Sequence, residues 1–187
     1  CGPMRRGIIG PEVQVRLDER VRMTAAILAV SQWPSMEQEI EPHAVHTQSK
    51  VTRQFMSGMS GDAAVQTVNQ ALKDGSALSE LFTAAVCSEW PSFKATEALP
   101  TRFADGGFND QLAACCTAAD PAGKLWPEHT AVWEEAKTDL TEIFADSPLP
   151  EFLGKLCGLP VEKTIVIVPT LTFPMLNSVV CETADEL

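Results

Sequence analysis

The chain has 187 residues, of which 45% are hydrophobic and 21% charged. That is enough apolar material for one domain with its own core, and it excludes wholesale disorder. Lys and Arg number 14 against 25 Asp and Glu, a formal charge of −11, so the surface repels phosphate and makes nucleic acid and anionic membrane poor partners.

Residues 1–10 read as a tag-cleavage remnant (Gly2-Pro3 before Met4) and a flexible N-terminus, and 11–187 as a single, mostly helical domain. Met4-Arg5-Arg6 is basic, but no apolar segment follows it, so it is not a secretory leader; with Met4 as the start, the expected compartment is the cytoplasm. Cys1 as a lipid-bearing residue is the lesser alternative, since such a residue leads into a polar tether. The longest clean apolar run, Ala25 to Val30, falls far short of the ~20 residues a bilayer span needs.

Glu12 to Leu17 alternates polar and apolar, the pattern of a half-buried strand. Asp18 then caps a helix carrying Val21, Thr24 and Leu28, which should end near Ser31 because Pro34 biases Trp33 away from the helical region. A second helix is expected from Pro42 to about Ser57, with Ala44, Val51 and Phe55 sharing a face with Gln48. Gly58 and Gly61 bracket a break. Asp62 caps the next helix, whose stripe is Val65, Val68 and Leu72 and whose stop is Gly75. Ser76 with Ser79-Glu80 opens another, with Leu78, Leu81, Phe82 and Ala85 inward.

Residues 90–107 read as a long connection with one helical turn. Phe108, Leu112, Cys115 and Ala119 form the following stripe, broken at Asp120-Pro121. The longest helix should run from about Pro127 to Asp146, with Val132, Ala136, Leu140 and Ile143 on one side. Phe152, Leu153 and Leu156 make a short helix closed by Gly158. Lys163 to Val168 is largely β-branched and reads as a strand buried on both faces; Asn177 to Glu182 reads as a second strand. Helices first and strands last give an α+β class, predominantly α-helical, with a helical domain followed by a small sheet near the C-terminus.

Chemistry-bearing residues are few. His43 and His46 stand at i,i+3 on the expected second helix, with Glu39 and Glu41 upstream. Two imidazoles do not make a site where catalytic zinc takes three protein ligands, so they are only the low-ranking metal candidates, and a hydrogen-bonded neutral pair is the preferred reading. Both should lie in the first two turns of that helix with no metal between them. Glu128 complements a helix N-terminus beside His129, and Glu134, Glu135, Asp139 and Glu142 read as a solvated acidic face. There is no HExxH, no GxSxG and no CxxC, and Gly58-Met59-Ser60-Gly61 is too slight for a phosphate loop. Cys87, Cys115 and Cys116 read as small buried hydrophobes. Trp33, Trp90 and Trp126 each precede Pro, and with Trp133 they read as packing helix ends. No catalytic residue, cofactor or bound metal is expected.

Leu17-Asp18-Glu19-Arg20-Val21, Gln32-Trp33-Pro34 and Glu41-Pro42-His43-Ala44-Val45-His46, with Glu89-Trp90-Pro91, Glu151 to Gly158 and Ile165 to Pro169, resemble the N-terminal helical part of an uncharacterised bacterial family related to gluzincin-like zinc metallopeptidases. The resemblance implies that any HExxH lies downstream of Leu187, so no catalytic residue carries over. It implies a scaffold or substrate-positioning half of a metallopeptidase-like protein. The alternative, from the Trp and Phe at helix ends and the acidic rim, is a helical module that binds a protein or peptide, with a basic amphipathic partner expected.

Overall fold

The computed structural model describes residues 12–40, 44–73, 78–158, 160–172 and 178–187. The order is β1 (Val13–Val15), α1 (Glu19–Val30), α2 (Trp33–Ile40), α3 (Thr47–Phe55), α4 (Ala63–Lys73), α5 (Leu78–Val86), α6 (Gly107–Ala119), α7 (Pro121–Lys124), α8 (Thr130–Phe144), α9 (Leu149–Cys157) and β2 (Ile165–Ile167). Single 3₁₀ turns follow α3 and precede α6 and α8. The class is predominantly helical α+β with a small parallel sheet. No helix among the described residues is long and apolar enough to cross a membrane.

The fold is organised around α1, where every residue from Met23 to Ala29 is buried. A helix apolar all round must be enclosed, and α2, α3, α4, α5 and α6 all pack on it. Met23, Ile27 and Leu28 are at most 1% exposed, and each stabilises the fold by roughly 1.5–3 kcal/mol relative to an exposed side chain. The stripes expected on α4, α5 and α6 face the same core: Val65 and Val68, Leu81 and Phe82, Phe108 and Leu112 are buried. So are Cys87, Cys115 and Cys116.

Asp18 fixes the start of α1. Its carboxylate accepts from the backbone N–H groups of Arg20 and Val21 and pairs with the Arg20 guanidinium. Arg20 Nη1 also donates to the carbonyls of Val86 (2.6 Å) and Ser88 (3.0 Å), tying α1 to the end of α5.

Five expectations are corrected. α1 does end at Ser31, but Trp33 opens a helix of its own, α2. Pro34 is no obstacle within a first turn, and Ser31 Oγ accepts from the Trp33 N–H at 3.1 Å. The helix expected from Pro42 starts only at Thr47, with His46 as its extended N-cap; Pro42 and His43 lie outside the described residues, as do Gly75 and Ser76. On α8 the expected stripe is not buried: Ile143 is 68% exposed, and Trp133 is the buried anchor. The segment from Ser178 to Glu182 is not a strand; Asn177 lies outside the described residues. Val179 and Cys181 pack on the core and Val180 faces out, so the twofold alternation is real. The Val180 carbonyl, however, takes its hydrogen bond from Ser79 Oγ (2.7 Å) rather than from a ladder.

The sheet joins distant parts of the chain. β1 runs parallel to β2, with Val13 opposite Ile165 and Val15 opposite Ile167. On the other edge of β2, Val166 N–H donates to the Leu187 carbonyl and Leu187 N–H to the Thr164 carbonyl, both at 2.9 Å. β2 is not buried on both faces. Ile165 is buried, but Val166 to Val168 are only half-buried, because one side borders a cavity.

Asp18 gives the first prediction. Burial pushes its carboxyl pKa up, but the Arg20 guanidinium and the two backbone N–H groups outweigh burial and hold it below the ordinary carboxylate value. A lowered folded-state pKa contributes stability that is present above the unfolded pKa and is lost as the pH falls through the folded one. Asp18→Ala should cost about 2–4 kcal/mol in urea unfolding near neutrality, combining a lost cap with a stranded guanidinium. Asp18→Asn should flatten the acid limb of the stability profile below about pH 4.

Candidate functional site

A large cavity among the described residues has a volume of about 1090 Å³. It lies where β2 and its continuation, α9, the end of α5 and the C-terminal arm meet. Phe82 and Val86 line it from α5, Leu149 and Leu153 from α9, and Val166 and Val168 from β2 and the residue after it. These walls follow from the sequence pattern. A β-branched strand shows apolar side chains on both faces, and only one face can pack on the helical body. α9 is amphipathic in an unusual sense: Leu149 and Leu153 face the cavity, while Phe152 and Leu156 are 58% and 70% exposed.

One end of the cavity is polar. Arg16 makes a two-pronged pair with Glu186, both contacts at 2.7 Å. Asp18, Thr183 and His46 stand nearby on the lining. The pairing with Glu186 overcomes partial burial and raises the Arg16 pKa. Also on the lining, the Thr170 hydroxyl is buried and has no hydrogen-bond partner among the described residues. A mostly apolar cleft of this size with a few convergent polar groups has the character of a binding site.

His46 lies on the cavity rim, but its Nδ1 accepts the Gln48 backbone N–H at 3.1 Å. The ring is committed to capping α3, which leaves Nε2 as its outward atom. His43 lies outside the described residues. Among the described residues, no three His, Cys, Asp or Glu side chains gather into a metal-binding set. His129 meets the same residue, Gln48, through its side chain. Its Nδ1 is 3.2 Å from Gln48 Nε2, and Gln48 Oε1 accepts from Trp133 Nε1 at 3.4 Å. Glu134 pairs with Lys137 on the exposed face of α8.

The sequence reading missed Arg22. Its guanidinium carbon lies 4.3 Å from the ring centroids of both Trp126 and Trp133. Trp90 packs on Trp126 with centroids 5.6 Å apart. Arg22 Nε and Nη2 are buried without hydrogen-bond partners, and burial lowers the pKa to about 10. The two rings stand in for a carboxylate, offering their negative faces to a cation removed from water. No local pattern announces such a contact, because Arg22 and the tryptophans belong to segments far apart in the chain. The tryptophans thus pack helix junctions, with Arg22 as the filling.

Comparison with family models, curated proteins and solved structures finds no match. The functional reading therefore rests on the geometry of the cavity and its surroundings.

Replacing Arg22 tests the sandwich. Arg22→Ala should cost about 2–3 kcal/mol, from two lost cation–π contacts and the space left between the rings. Arg22→Met should cost less, since its thioether keeps contact with both rings and no charge is left buried. Urea unfolding followed by Trp fluorescence reads both.

Proposed function

We propose that this domain is a peptide-binding module. Its large cavity would receive the apolar side chains of a basic, amphipathic partner segment. The observation that carries the reading is the cavity of about 1090 Å³ between α5, α9 and β2, apolar along its walls and polar at one end. The orphaned Thr170 hydroxyl suits a peptide backbone group, which brings both a donor and an acceptor. The formal charge of −11 favours a cationic partner at encounter. The substrate-positioning role implied by the metallopeptidase resemblance is the same binding event, with bond cleavage supplied by residues outside this chain.

The test uses a 14-residue peptide of Leu and Lys, with Leu at helical i, i+3, i+4, i+7 spacing, and a scrambled peptide of the same composition. The patterned peptide should bind saturably by fluorescence anisotropy, and the scrambled one at least about tenfold more weakly. Leu153→Asp, on the half-buried wall of α9, should weaken binding by a similar factor, about tenfold, by putting a charge into the apolar lining. Equal binding of the two peptides, or no effect of Leu153→Asp, would overturn the reading. Incubation with zinc and an unfolded protein should give no cleavage by this chain, and metal-dependent cleavage would refute the division of labour.

A further inference from the structure

A second, smaller cavity of about 390 Å³ lies between α2 and α3, separated from the first by Val45, which lines both. Its lining is unlike the rest of the molecule. Lys50 and Arg53, one turn apart on α3, both border it, and no carboxylate among the described residues does. Neither cation makes a salt bridge within the described residues. In a chain with 25 acidic and 14 basic residues, two adjacent cations left without acidic partners at the mouth of a concavity are out of keeping with the average surface.

The independent observation is Thr172. It lines the same cavity and is 8% exposed, and its Oγ1 is buried with no hydrogen-bond partner among the described residues. Buried hydroxyls in folded proteins are nearly always satisfied, and an exception calls for a missing partner. Ser35 and Ser49 add two more hydroxyls, and the buried Trp33 forms an apolar wall. Two cations, three hydroxyl donors and one aromatic wall in a small pocket match a planar or tetrahedral oxyanion attached to an apolar frame.

We propose that this pocket binds a small molecule through an oxyanion, carboxylate or phosphate. Lys50 and Arg53 hold the charge, Thr172 Oγ–H donates to one of its oxygens, and the Trp33 ring packs against the attached apolar part. The site is separate from the peptide cavity, so either can fail without the other.

Calorimetric titration of the full chain at low ionic strength with benzoate and with inorganic phosphate, each against sodium chloride as the control anion, tests it. One saturable site is expected for at least one probe. Tighter benzoate binding marks a carboxylate on an aromatic or apolar frame, and tighter phosphate binding marks a phosphate ester. Lys50→Gln/Arg53→Gln, both at exposed positions and so compatible with folding, should weaken the site by about tenfold or more. Thr172→Val should weaken it by about three- to tenfold with the near-UV circular dichroism unchanged. Lys155→Gln, on α9 and outside the lining of this pocket, should bind as the wild type does. No saturable binding of either probe, or unchanged binding in the double variant, overturns the proposal.

Discussion

The seating of the C-terminal part on the helical body depends on the β1–β2 pair, which closes the chain upon itself. Each strand is three residues long, and a two-stranded ribbon of that size does not hold in water alone. Its closure is fastened by groups beyond the ladder. Arg16 grips Glu186 across 170 positions of sequence, and Lys163 holds Glu182 and the Thr183 carbonyl. The Glu97 carboxylate accepts the Ala184 N–H at 2.8 Å. α8 covers β1. The entropic cost of so long a closure grows slowly, by about 0.6 kcal/mol per doubling of the loop. A few such fastenings, added to the apolar contacts of Ile165, are therefore enough to offset it.

This closure also makes the cavity. The helical body around α1 is complete without the sheet, since its buried residues come from α1 to α6 with the Trp126 and Leu125 turn. β2 and the arm from residue 178 onward lie over that body and touch it at particular points. Ser79 and Val180 meet by a hydrogen bond, and Val179 and Cys181 pack inward. Between these points the strand and α9 stand off, and space remains. Close packing stabilises a core, so a large apolar space at the seam between a finished body and its fastening is where an added ligand gains most.

The helices of the body, the two paired strands and α9 were legible in the sequence, and the cavities between them were not. Asp18, Asp62 and the stripes on α4, α5 and α6 are local signals, and helices obey local signals when one face is buried against a neighbour. The β1 pattern, half-buried Val13 and Val15 with exposed Gln14, was equally plain. α2 was hidden because Pro34 stops a helix or starts one depending on where the preceding residue is capped, and Ser31 decides that. The α8 stripe misled because its periodicity is real while its partner is small: Trp133 is buried, and Ile143, almost three turns on, runs past the body into solvent. Ser178 to Glu182 alternates like a strand, yet a side chain of α5 takes the bond a neighbouring strand would have made. Neither cavity has a sequence signature. Lys50, Arg53 and Thr172 are ordinary residues, and what distinguishes them is the absence of partners among the described residues, which is visible only in three dimensions.

α9 links this architecture to dynamics. None of its residues is fully buried, while Phe152, Leu156 and, on α8, Ile143 expose large apolar side chains. Its own hydrogen bonds and the exposed Lys155–Glu151 pair maintain the helix, but an exposed pair in water contributes little, and no salt bridge among the described residues ties the helix to the body. Elements with few buried contacts open at low free-energy cost. α9 is thus the wall of the large cavity that yields most readily, whereas β2, Phe82 and Val21 belong to the core or are tied to it. A partner entering beside α9 would displace Leu149 and Leu153 from contacts worth little and restore them against itself. The apolar residues on the outer face of the same helix extend the contact beyond the cavity mouth. A rigid apolar cavity would have to exchange its contents through a closed surface; here the least anchored element forms one side of it, and the acidic face of α8 precedes that element in the chain.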